Sequence, residues 1–215
     1  MRARGGLGPY TIERILGRGG MGVVYLARRV GREDSGLVAL KRLHATGAGA
    51  GIEKRFLQER RILGWLQHPG IAKMIDAGRT DSGEPYLVME YVAGASLDEF
   101  CRGRSLAEIV RLFIGICETL SFAHRNLVIH RDLKPSNIVV NGEAEAKLLD
   151  FGIAKILSDS SLTVTLERAL TPEFASPEQL RGEPQTVAPD IPSLGAVLKK
   201  VTSRPDPVRG AIEGP

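Results

Sequence analysis

His130-Arg131-Asp132-Leu133-Lys134-Pro135-Ser136-Asn137, followed shortly by Leu149-Asp150-Phe151-Gly152, is the stretch that decides the fold of this 215-residue chain. It gathers carboxylates, a lysine and an asparagine around the apolar run Ile138-Val139-Val140. That run has strand character, and after the turn signal Asn141-Gly142 a second run occupies residues 146–149. A hairpin of this kind brings the loop before it and the residues after it to the same end. Asp132, Lys134, Asn137 and Asp150 are therefore expected to converge. Asn137 and Asp150 offer oxygen donors from two segments, which suits Mg²⁺, an ion that takes few protein ligands and shares its remaining shell with phosphates and water.

His-Arg-Asp-Leu-x-x-x-x-Asn and Asp-Phe-Gly, in this order and at this spacing, resemble the signature of the eukaryotic-type protein kinases. The resemblance implies that Asp132 accepts the proton of a substrate hydroxyl and that Asn137 and Asp150 hold the metal. It also implies that Lys134 neutralises the transferred phosphoryl group. Asp132-Leu133-Lys134 looks like the serine/threonine branch. A solvated charge cluster on a surface loop would use the same residue types, but further motifs follow in the required order.

Working toward the N-terminus, residues 1–9 are rich in Gly and Arg and read as a flexible leader. Residues 10–16 alternate as a first strand, and 23–30 form a second β-rich run. Between them lies Gly17-Arg18-Gly19-Gly20-Met21-Gly22. Gly-x-Gly-x-x-Gly also marks dinucleotide-binding folds, but those need a helix after the glycines. Here Val23, Val24 and Tyr25 follow, so a glycine-rich hairpin over phosphates fits better and a nicotinamide-dependent oxidoreductase is disfavoured. Glycine lets backbone amides approach an anion where a Cβ would obstruct.

Residues 36–43 read as a third strand in which Lys41 interrupts an apolar run, matching the family's Val-Ala-Ile-Lys with Leu40 for Ile. A lysine there is costly unless paired. A helix over residues 52–67 places Glu59 on one face with Phe56, Leu63 and Leu66. Glu59 is the natural partner, and the resemblance implies that this pair holds Lys41 against the α- and β-phosphates. Glu53 reads as a helix-start carboxylate and His68 as a hydrogen bonder in the turn after the helix. Strands at 71–76 and 86–91, joined by the turn 80–83, complete a five-stranded antiparallel sheet with one helix.

Met89-Glu90-Tyr91-Val92 resembles the hinge between kinase lobes. The resemblance implies that Met89 lines the adenine pocket and that backbone groups of Glu90 and Val92 meet the adenine edge. It adds Leu16, Val24 and Ala39, with the glycines of the loop, as further nucleotide contacts.

From Gly94 the pattern turns helical. Ser96-x-x-Glu99 and Ser105-x-x-Glu108 read as capping boxes, and Ile109, Leu112, Phe113, Ile116, Leu120 and Ala123 share one face of a core helix. His124 near its end reads as structural. Residues 153–175 form the activation segment by resemblance. Arg131 would receive a phosphate there, and Thr163 or Thr165 is the expected modification site. Thr171 to Glu178 resembles the family's closing motif with Leu170, Phe174 and Ser176 as departures, and Thr171 would favour Ser/Thr acceptors. The forms Gly-Arg-Gly-Gly-Met-Gly and Ser-Pro-Glu-Gln-Leu look most like bacterial members.

Asp190 and Ser193-Leu194-Gly195 resemble the start of the helix that anchors the catalytic loop. Pro192 is tolerable there only in a first helical turn. The likeness fades near residue 198, and 202–215 reads as a disordered end. Helices that usually finish the large lobe are not expected, which would leave the family partner of Glu178 unassigned. It would also bare one side of the anchoring helix and invite self-association.

Composition is ordinary for a globular protein, 43% hydrophobic and 25% charged, with formal net charge +4. The pI near 9.2 comes without a basic run, so nucleic acid is not an expected partner. Cys101 and Cys117 are too few for a disulfide framework and read as reduced thiols in the cytoplasm, with Cys117 inside an apolar helical pattern. No segment has the length and apolarity of a membrane span or a signal peptide.

The expected architecture is α+β and kinase-like. It comprises a leader (1–9), a small β lobe with hinge (10–92), a mainly helical and incomplete second lobe (93–201) and a tail (202–215). The expected activity is Mg²⁺-assisted transfer of phosphate from ATP to Ser/Thr of protein substrates. The alternative is a non-catalytic ATP-binding or interaction module.

Overall fold

β-Branched and aromatic residues between Tyr10 and Glu90 pair into one antiparallel sheet because their alternation offers two usable faces. The computed structural model describes residues 6–20, 22–31, 36–43, 66–126, 128–151 and 190–203, and the chain divides into two compact units. The first unit contains β1 (Gly6–Leu7), β2 (Tyr10–Gly19), β3 (Gly22–Arg29), β4 (Val38–Leu43), β5 (Met74–Arg79) and β6 (Pro85–Glu90). Their order in the sheet is β1-β2-β3-β4-β6-β5.

Register sorts the side chains of this sheet. Val24 lies opposite Lys41, which lies opposite Leu87; Leu26 lies opposite Ala39, which lies opposite Met89. Directly paired residues project to the same side, so Val24, Ala39, Lys41 and Met89 share one face. The other face carries the cluster Tyr10, Ala27, Val38, Leu40, Tyr86 and Val88. The sheet curls around this cluster until β2 reaches β5: the Tyr10 hydroxyl donates to Asp76 Oδ2 at 3.0 Å. Register shifts in both of those strands supply the added twist. Burial first, then the bond to Asp76, pushes the Tyr10 phenol up to about 12, which keeps it a donor.

Several expectations shift at this level. Gly6 and Leu7, read as leader, pair with Thr11 and Tyr10, so the sheet has six strands rather than five. Ile71, read as the start of a strand, instead makes an isolated parallel bridge to Leu148, and β5 begins at Met74. Gly94, read as the onset of helix, starts a strand. The expected helix over 52–67, with Glu53 and Glu59, lies outside the described residues except for Leu66 and Gln67, which are not helical.

The second unit combines β7 (Gly94–Ser96), β8 (Ile138–Asn141) and β9 (Ala146–Leu148) in a three-stranded sheet. Its helices are α1 (Leu97–Phe100), α2 (Leu106–Arg125) and α3 (Asp190–Thr202). Both expected capping boxes form: the Ser96 and Ser105 hydroxyls accept from the Glu99 and Glu108 amides, and each glutamate bonds back. Those returned bonds, led by the serine contacts, hold both carboxyls below the usual range.

The expected apolar face of α2 is buried, joined by Thr119, whose hydroxyl donates to the Gly115 carbonyl at 2.8 Å and so hides its polarity. Cys101 is buried and Cys117, read as lying inside the helical apolar pattern, is exposed; it stands next to Ile116 and therefore about 100° around the helix from it. His68 behaves as expected, its Nδ1 accepting the Gly70 amide at 3.1 Å. Among the described residues no helix is long and apolar enough to cross a membrane.

Candidate active site

The β8–β9 hairpin brings its two ends together as its alternation requires. The Leu149 amide donates to the Asn137 carbonyl at 2.8 Å, which sets Asp150 beside the end of the loop that carries Asp132. A short 3-10 helix over Pro135–Asn137 turns the Asn137 side chain inward, where it is buried. Its Nδ2 donates to the Asp132 carbonyl at 2.8 Å and to Asp132 Oδ2 at 3.0 Å. Lys134 Nζ reaches the same Oδ2 at 2.9 Å. Two donors on one oxygen pin the carboxylate plane and keep a negative charge beside an ammonium.

Asp132, Lys134, Asn137 and Asp150 are thus gathered in one unit. The donor half of the Asn137 amide is committed to Asp132, so a cation held by this residue meets Oδ1. That amide oxygen and the Asp150 carboxylate are hard donors of the kind Mg²⁺ prefers, and the donor set fits this ion. Among the described residues no group of three or more His, Cys, Asp or Glu has metal-binding geometry. A site that leaves most of the shell to phosphates and water needs none.

Beneath the loop lies an arrangement that the motif alone did not disclose. His130 is fully buried. Its Nε2 lies 2.8 Å from the Leu149 carbonyl, which can only accept, so Nε2 carries the proton. Nδ1 then accepts the Asp132 amide at 3.4 Å, and the ring packs on Phe151 with centroids 4.7 Å apart. Burial is the main cause of the lowered His130 pKa, in keeping with a neutral ring.

Asp190, at the start of α3, is 1% exposed. Its Oδ1 accepts the Arg131 amide at 2.9 Å and its Oδ2 the His130 amide at 2.8 Å. Arg131 (φ 66°) and Asp150 (φ 54°) both occupy the left-handed region, at about 1–3 kcal/mol each for residues with a Cβ. For Asp190, burial by itself would raise the carboxyl. The hydrogen bonds from His124 and from the His130 and Arg131 amides outweigh it and hold the group below the usual range. Sequence placed Asp190 at the head of an anchoring helix, but its partners were not foreseen.

These shifts predict acid sensitivity. The unfolded chain takes up a proton at His130 near pH ~6.5 that the folded chain refuses, so stability falls as pH drops through that value. The Asp190 contribution is complete above its unfolded value of about 3.9 and is lost as pH falls below it. Urea midpoints measured against pH should decline in these two stages; a midpoint that stays flat from about pH 7 to about pH 5 contradicts the assignment of His130.

In the first unit, Val24, Ala39, Lys41 and Met89 share the sheet face already described. The Glu90 amide is taken by the Lys73 carbonyl at 2.8 Å. Leu16 is half-buried, Gly17, Gly19 and Gly20 are exposed, and Val92 is half-buried in the second unit. Glu59, Gly152, Thr163, Thr165, Thr171 and Glu178 lie outside the described residues.

One reason does not serve all the glycines. Gly22 has φ 150°, and a Cβ there would run into the Arg42 carbonyl of β4, whereas among the described residues nothing lies within 4 Å of one at Gly17 or Gly19. Gly22→Ala should cost about 1–3 kcal/mol by overpacking. Gly17→Ala and Gly19→Ala should stay within about 0.5 kcal/mol yet weaken ATP binding. Thermal melts with and without ATP check both halves.

The family profile described as the protein kinase domain matches residues 10–213. The chain is 36% identical over 164 residues to serine/threonine-protein kinase PknB of Mycobacterium tuberculosis, an alignment covering 73% of this chain and 26% of that one. It is 38% identical over 177 residues to the probable serine/threonine-protein kinase SCO3848 of Streptomyces coelicolor, covering 78% and 26%. The chain therefore spans about a quarter of the length of these relatives. A crystal structure of the Mycobacterium tuberculosis PknI kinase domain matches with TM-score 0.72 at 26% identity, covering 94% of this chain and 75% of that chain. With a loop that fixes Asp132 by Lys134 and Asn137, and a profile match across most of its length, this chain belongs to the protein kinase domain family.

Proposed function

We propose that the chain transfers the γ-phosphoryl group of ATP to serine or threonine hydroxyls of protein substrates. The observation that supports this reading most directly is the double hold of Lys134 and Asn137 on Asp132 Oδ2. Asp132 takes the hydroxyl proton while the acceptor oxygen bonds to the γ-phosphorus; the bond to the β-phosphate oxygen breaks, and ADP leaves with that electron pair. Lys134 offsets charge on the group in transfer. Glu59 pairs with Lys41 and holds it against the α- and β-phosphates. Leu16, Val24, Ala39, Met89, Glu90 and Val92 contact the base, and Gly17, Gly19, Gly20 and Gly22 cover the phosphates.

Asn137 and Asp150 would hold Mg²⁺, which when bound neutralises phosphate charge and orients the transferred group. The test is incubation with γ-labelled ATP and a generic basic protein. Label should appear on Ser or Thr and disappear with a chelator. An ATP-induced rise in melting temperature without any transfer would support the non-catalytic nucleotide-binding module instead.

A further inference from the structure

The outer face of α2 has no part in holding the loop that carries Asp132. Nor is it the polar surface that an amphipathic helix ordinarily turns to water. Leu106, Val110 and Ile114 are 65%, 44% and 54% exposed, and Cys117 is exposed as well. Steps of four, four and three residues bring these side chains into one row along the helix. Single exposed apolar residues need no explanation, but a continuous row of them marks a contact surface.

The charges beside this row identify what covers it. Arg111 and Glu118 are both exposed and stand seven residues apart, on the same flank of the row. Along the helix they are separated by about 10.5 Å, too far to meet each other. Glu108, three residues before Arg111, already accepts from Ser105 and Arg104. Among the described residues the ion pairs of α2 are Arg104–Glu108 and His124–Asp190, which leave Arg111 and Glu118 out. If a second α2 lies antiparallel on the first, a two-fold axis near Ile114 sets Arg111 of each copy against Glu118 of the other. A parallel arrangement turns the charged flank of each helix toward the uncharged flank of its neighbour and lacks this match.

We propose that this face of α2 is a self-association surface, on which a second copy of the chain docks antiparallel about a two-fold axis near Ile114. The contact is isologous: the apolar row meets its own reversed copy, and the two Arg111–Glu118 pairs set orientation and register. A single pair of helices about 30 Å long buries less than the roughly 1,200 Å² at which stable interfaces begin. The dimer is therefore weak, with Kd on the order of 100 µM. The surface belongs to α2 and not to α3, whose bare side was the expected place of self-association, and it does not depend on the kinase reading.

The full chain, in reducing buffer so that Cys117 forms no disulfide, is followed by sedimentation velocity from about 10 µM to about 1 mM. The wild type should pass from monomer toward dimer across this range, and strong salt should move the transition to higher concentration. Ile114→Asp should raise the apparent Kd roughly tenfold or more. Arg111→Glu and Glu118→Arg each set like charges together and should raise it roughly fivefold or more. Mixing these two single variants restores opposite charges at both pairs, so they should associate with one another more tightly than either does with itself. Arg111→Glu/Glu118→Arg should return to about the wild-type value. These side chains are exposed, so far-UV circular dichroism and urea midpoints should stay near wild type.

A chain that stays monomeric at about 1 mM overturns the proposal in favour of an occupant other than a second copy. Self-association that Ile114→Asp does not weaken places the contact elsewhere and overturns it too. If Ile114→Asp weakens association but the mixed single reversals gain nothing, the antiparallel arrangement fails, and the proposal with it. Should Ile114→Asp not fold, Ile114→Ser replaces it with the same expected direction.

Discussion

Asp132→Asn is expected to reduce phosphoryl transfer roughly 10²–10⁴-fold, the usual weight of a positioned general base, while ATP binding persists. The substitution is close to isosteric. The asparagine oxygen can still face Lys134 Nζ and the Asn137 amide, which now sit 2.9 Å and 3.0 Å from Oδ2. What disappears is the negative charge and the capacity to take a proton. The ion pair with Lys134 is partly open to solvent, with side chains 27% and 10% exposed, so its loss should cost only about 1 kcal/mol. Single-turnover transfer and an ATP-dependent melt therefore separate chemistry from folding. Wild-type rates in the variant would remove Asp132 from the mechanism.

The largest stability effect is expected at Asp190. Asp190→Ala strips the acceptor from two backbone amides and from His124 in a site where the carboxyl is 1% exposed. Each buried amide left unsatisfied costs about 1–3 kcal/mol, and breaking a buried charged network costs about 3–5 kcal/mol. Domains of this kind have about 5–15 kcal/mol in all, so the variant should unfold at much lower urea or fail to accumulate. Asp190→Asn keeps one acceptor and turns an NH₂ toward the second donor, so roughly half the loss is expected. Released from the carboxylate, Arg131 is free to leave φ 66° and carry Asp132 away, so transfer should fall along with stability. Urea midpoints for the two variants close to wild type would show that the loop does not depend on this anchor.

Much of this was legible in the residues themselves. The capping boxes at Ser96 and Ser105, the apolar stripe of α2, the β8–β9 hairpin and the turn role of His68 all formed as read. Each rests on contacts a few residues apart, where spacing alone decides which groups meet. Edges were less secure. Leu7 joined the sheet although its flanking glycines suggested a leader, because pairing beside Tyr10 buries it against the core cluster.

Local chemistry determined the identity of the acidic, basic and amide groups around Asp132 and the hairpin that gathers them. Only the tertiary structure decided what holds that loop in its strained form. Asp190 meets the His130 and Arg131 amides across 60 and 59 residues and His124 across 66. No periodicity or spacing rule encodes a contact at that separation. It exists because burying α2 and α3 leaves one carboxylate among donors with no water to satisfy them, and that condition becomes visible only when the chain has closed.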